Sequence, residues 1–150
     1  MSKQKSLPEG LSEKTICDAY KKEMSRHSNK LIQEVRNFIC TPIADDVKDA
    51  TVEVFPDEYG DGSVSIGFYL NGITTKHIKF AEYANDLPLI DTQAYIEEDI
   101  HVAHLVVDLV KQWFAECWYK AGGWDYPLLV TLSGHDGFGN SDVINLTSKS

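Results

Sequence analysis

Glu97, His101, His104 and Asp108 stand four, three and four residues apart in a stretch of helical periodicity, so they project within a stripe about 60° wide. Two imidazoles flanked by carboxylates suit a transition metal, with the acids as further ligands or as groups that orient the rings. Such a centre would support metal-assisted hydrolysis through His101 and His104, with His135 as a third candidate. Two features weigh against it. The spacing lacks the H-E-x-x-H arrangement that places a base between two ligands. The stripe also lies opposite the apolar arc of its helix, where an amphipathic helix keeps its solvated residues. A solvated face is the stronger reading, and no cofactor is expected.

The segment Gly134-His135-Asp136-Gly137-Phe138-Gly139-Asn140 is the second place where chemistry is conceivable. Its glycines permit unusual backbone angles, and His135 with Asp136 would present an acid–base pair at a loop tip. The G-x-x-G-x-G spacing and the strand that follows exclude a dinucleotide fingerprint. Ser133, His135 and Asp136 are too close in sequence to point at one another as a triad. Turn chemistry explains the Gly and Asn content, and a binding loop is the functional alternative. Asp57-Glu58-Tyr59-Gly60-Asp61-Gly62 has a faint calcium-loop look. Tyr59 stands at the third position, where an oxygen ligand is needed, and Phe68 at the twelfth, where glutamate is needed, so it reads as an acidic turn. Cys17, Cys40 and Cys117 form no C-x-x-C pair and sit beside no signature of a catalytic base.

Charge gives the clearest functional direction. The 150 residues carry a net charge of -9. Residues 1–36 hold eight Lys/Arg against five Asp/Glu, whereas residues 37–150 hold six against eighteen. An acidic body repels nucleic acid and attracts a basic protein, speeding its encounter. Aromatic anchors are at hand: Trp113, Trp118, Tyr119, Trp124 and Tyr126 fall within fourteen residues. Trp113 and Trp118 lie in the apolar arc, while Tyr119, Trp124 and Tyr126 are expected at the surface, where such side chains favour interfaces. The expected partner surface therefore comprises Asp57, Glu58, Asp61, Tyr119, Trp124, Tyr126, His135 and Asp136. At the level of class alone it resembles the acidic surfaces of immunity or inhibitor proteins. With three scattered thiols, no apolar run of about 20 residues and no secretory leader in MSKQKSLPEGLSEK, the expected location is the cytoplasm.

These side chains need a scaffold, and the pattern supplies one of about one domain's length. Ile16, Tyr20, Met24, His27, Leu31, Val35 and Phe38 step by three or four, which predicts a helix from Ser12 to about Ile39, ended by Thr41-Pro42. A short helical turn is expected over Ala44–Lys48. Strands are expected over Thr51–Phe55, Val64–Leu70 and Ile73–Phe80, the second from strict alternation of Val64, Ile66, Phe68 and Leu70. A three-residue loop, Asn71–Ile73, would pair Ile66 with Ile78 and Val64 with Phe80 on one apolar face, which a two-residue loop would not. A second helix is expected from Thr92 to Lys120, stopped by Ala121-Gly122-Gly123. Strands at Pro127–Leu132 and Asp142–Leu146 complete the order α-βββ-α-ββ: a single α+β domain, residues 1–150, with an antiparallel sheet of four to five strands under two long helices. The termini, about 1–10 and 147–150, are expected to fray.

Overall fold

The computed structural model describes residues 13–56, 64–79, 102–135 and 143–148. Helix α1 spans Glu13–Ile39. Ile16, Tyr20, Met24, Leu31 and Val35 on its apolar stripe are buried, and its Lys and Arg side chains lie along the opposite side. The chain then turns, the Val47 N–H donating to the Ala44 carbonyl at 3.0 Å, in place of the short helix expected there. Strands β1 (Asp49–Pro56), β2 (Val64–Asn71) and β3 (Thr75–Lys79) follow. Helix α2 covers Val102–Lys120 of the described residues. Gly122, at φ 87°, makes the left-handed turn that ends it, a conformation only glycine adopts freely. A single 3-10 turn, Gly123–Asp125, leads to β4 (Leu129–Gly134), and β5 (Ile144–Asn145) closes the sheet.

The architecture is α+β, as expected, with a five-stranded sheet in the order β3-β2-β1-β4-β5. One pairing departs from the antiparallel expectation: β1 and β4 are parallel, with Val52 opposite Leu132 and Val54 opposite Gly134. Chain direction explains it. Two hairpins leave β3 running with β1, and a helix that recrosses the sheet returns the chain to the end where β1 starts. Helix α2 lies over β1 and β4, and α1 packs beside it. Phe38, near the end of α1, reaches Phe68 of β2 with ring centroids 4.6 Å apart. Ala50, Val52, Val54, Val64, Ile66, Phe68, Val130 and Leu132 turn to this buried side. Thr51, Glu53, Phe55, Tyr69, Thr131 and Ser133 alternate onto the other face. No described helix is long and apolar enough to cross a membrane.

The β2–β3 hairpin corrects the expected register by two residues. Its loop has three residues, but they are Gly72–Thr74, so Phe68 rather than Ile66 pairs with Ile78. The parity that keeps Ile78 on the apolar face is unchanged. Asn71 stays in the strand because its amide donates to Asp49 Oδ1 at 2.7 Å and to Thr51 Oγ1 at 3.0 Å. Asp46 completes the anchor by accepting the Ile73 N–H at 3.3 Å. Phe80 lies outside the described residues.

The C-terminal segment is likewise better tied than expected. Thr147 is 1% exposed; its hydroxyl donates to the Leu128 carbonyl at 2.9 Å and accepts the Val130 N–H at 3.3 Å. The Ser148 N–H donates to the Trp124 carbonyl at 3.1 Å. A buried hydroxyl with both roles satisfied fixes this stretch, so fraying does not begin at residue 147.

Candidate functional site

The parallel pairing brings two acidic connections to one end of the sheet. β1 finishes at Pro56, and Asp57, Glu58 and Asp61 follow in the connection to β2. β4 finishes beside it at Gly134, and His135 and Asp136 follow directly. Residues 57–63 and 136–142 lie outside the described residues, so Asp57, Glu58, Asp61 and Asp136 are known by where their segments leave the sheet. Together those two segments carry five carboxylates and no Lys or Arg.

At that end the structure makes a contact that sequence spacing did not suggest. His135 pairs with Glu53 of β1, Nδ1 to Oε2 at 3.0 Å, rather than standing as a loop-tip couple with Asp136. A carboxylate can only accept, so Nδ1 is the donor in this contact. The His135 ring also lies against Phe55, centroids 4.5 Å apart. Side-chain exposures of 43% for His135 and 29% for Glu53 leave both open to a partner. The aromatic surface continues from Phe55 across β2. A Cβ at Gly67 would meet Tyr69 Oη at 2.7 Å and Phe55 Cε2 at 2.9 Å, so both rings lie over a glycine that leaves room for them. Tyr69 in turn lies tilted against His77, centroids 5.1 Å apart.

The other expected anchors lie elsewhere. Tyr119 and Trp124 meet edge to face at 5.6 Å and are 43% and 47% exposed. The Tyr119 hydroxyl donates to the Asn145 carbonyl at 3.0 Å. Trp124 precedes the start of β4, however, whereas His135 follows its end, so the strand separates this pair from the acidic connections. Tyr126 is corrected outright. It is 2% exposed, its ring packed against Phe38 at 5.2 Å and Trp118 at 6.1 Å, where it closes the core beneath the end of α1.

Comparison with protein families, curated proteins and solved structures finds no match.

The histidine–carboxylate stripe of α2 is only partly visible. Glu97 and His101 lie outside the described residues; His104 is exposed and Asp108 half-buried, its Oδ2 accepting from Gln112 at 2.9 Å. Among the described residues no three His, Cys, Asp or Glu side chains come together as a metal site. Beyond Asp108 the same side of the helix is partly buried. Lys111 and Ala115 continue it along the helix, and they are 0% and 6% exposed.

Cys117, the remaining reactive group of α2, borders a cavity of about 360 Å³ between the helices, with Ser28, Trp113 and Lys21. Burial pushes its pKa up, against smaller opposing effects of a hydrogen bond with Ser28 and the charge of Lys120. A thiol held neutral is a poor nucleophile. The same shift has a stability consequence of definite sign. The folded state holds this proton more tightly than the unfolded chain, so its contribution is complete below the unfolded thiol value of about 8.5 and is lost as pH rises above it. At pH 8.5 iodoacetamide is therefore expected to modify exposed Cys40 rapidly and Cys117 only on unfolding, as peptide mass mapping reads directly. Equal rates at the two thiols would refute the buried assignment.

Proposed function

We propose that this chain is an acidic protein-interaction module that binds a basic partner at the sheet end where β1 and β4 finish. The supporting observation is the parallel β1–β4 pair, which brings Glu53, His135 and Phe55 together at the strand ends that two carboxylate-rich sequence segments follow. Carboxylates attract the partner from a distance, and a partly exposed aromatic surface gives it something to bury on arrival. Three cysteines outside any disulfide suit the reducing environment of the cytoplasm.

The reading makes rate predictions that a general excess of negative charge does not. With an oligo-arginine peptide as probe, association is expected to slow steeply with salt, since surface charges are screened over about 8 Å at physiological ionic strength. Neutralising Asp57, Glu58 and Asp61 together should cut the on-rate about tenfold, within the range of electrostatic steering. Neutralising three exposed carboxylates elsewhere, Asp18, Asp45 and Glu116, should change it far less. Phe55→Ala and His135→Ala should act on the off-rate, with Trp124→Ala as the distant control. Equal slowing by the two charge triples, or a rate indifferent to salt, would reduce the acidity to a solubility feature.

A further inference from the structure

A second site lies at the opposite end of β1, independent of any protein partner. The last turn of α1, the chain leading into β1 and the edge strand β3 enclose an open cavity of about 660 Å³. That volume falls within the range of small-molecule sites. Phe38, Ile43, Val47, Leu70 and Ile78 give it apolar walls, and of these Phe38, Ile43, Leu70 and Ile78 are only partly covered by the core. Glu34, Asp46 and Lys76 stand among its polar lining.

Tyr126 supplies the discriminating group. It borders this cavity yet is 2% exposed. Burial alone raises its pKa, so the phenol stays protonated and able to donate at neutral pH. A phenol O–H that borders an apolar cavity is a donor that a ligand oxygen there can accept. The rim decides the ligand's charge. Among the described lining residues two carboxylates stand against one lysine and the His77 imidazole, which gives an anion no net attraction, and the apolar walls disfavour a fully solvated cation.

We infer that this cavity binds an uncharged, ring-sized apolar compound that presents a carbonyl oxygen to the Tyr126 hydroxyl. Three matched probes test it by calorimetric titration of the intact chain. 2-Acetylnaphthalene has the ring and the acceptor, 2-ethylnaphthalene the ring alone, and 2-naphthoate an anionic acceptor. The ketone is expected to bind about five- to tenfold more tightly than the hydrocarbon, the worth of one hydrogen bond, and more tightly than the anion. Tyr126→Phe keeps the ring and its packing, so it should bring the ketone down to the level of the hydrocarbon while leaving the hydrocarbon unchanged. Ala44→Trp at the exposed lip should weaken all three. The inference is overturned if none of the probes binds, if ketone and hydrocarbon bind alike, if their difference survives Tyr126→Phe, or if the anion binds as tightly as the ketone.

Discussion

Trp118→Ala is expected to lower the unfolding free energy by about 3–5 kcal/mol, measured by denaturant titration. Trp118 is 0% exposed in the last three residues of α2, where four aromatic rings surround it. Phe38, Phe68, Phe114 and Tyr126 have centroids 6.1 to 6.4 Å from its own. A Cβ placed on Gly123 would collide with the indole, so the ring also rests on the backbone just past the helix stop. Rigid rings from two helices and a strand cannot slide together to fill the space left by truncation, which puts the cost at the upper end for core substitutions. Against a total stability of about 5–15 kcal/mol for a typical domain, that loss is a large share. Trp118→Phe should cost much less: it keeps a ring and removes an indole N–H that is buried without a described partner. A loss under about 1 kcal/mol for the alanine variant would show that the cluster is not close-packed.

Periodicity made most of this fold legible because burial is repetitive. Ile16 to Val35 repeats every three or four residues and Val64 to Phe68 every two, and those are the residues the structure buries. Strand direction left no such trace. A buried strand reads the same whichever way its neighbour runs, so β4 offered no local sign that it lies parallel to β1. The register of the β2–β3 hairpin failed for a related reason. Parity follows from the apolar pattern, but the choice between Asn71–Ile73 and Gly72–Thr74 rests on polar anchors from Asp46, Asp49 and Thr51, 20 or more residues away.

The candidate site was less legible, and the parallel pair is why. His135 and Glu53 stand 82 positions apart and meet only because β4 returns beside β1. An acidic residue alternating onto the open face of β1 was the one available signal, and many such residues have no partner at all. Tyr126 was misplaced because composition shows aromatics crowding together but not which of them closes the core. Its position just before β4, under the end of α1, is a tertiary fact. Lys111 shows the same limit, since a lysine on the polar side of a helix reads as solvated and here is 0% exposed.

The two-residue correction to the hairpin can be decided by energetics alone. Ile66→Ala is expected to cost about 2–5 kcal/mol, since Ile66 is 7% exposed on the apolar face and pairs with Val54 of β1. That value tests the face, because a one-residue slip would carry Ile66 to the open side, where such a change costs under about 0.5 kcal/mol. It does not test the pairing, because a shift of two preserves the face. Double-mutant cycles with Ile78→Ala do. Phe68 and Ile78 are direct cross-strand partners, so Phe68→Leu and Ile78→Ala should couple by about 0.5–1 kcal/mol. Ile66 is displaced from Ile78 by two positions along β2, so Ile66→Ala and Ile78→Ala should add to within about 0.5 kcal/mol. Coupling found at Ile66 and absent at Phe68 would restore the Asn71–Ile73 loop and detach Asn71 from its contacts with Asp49 and Thr51.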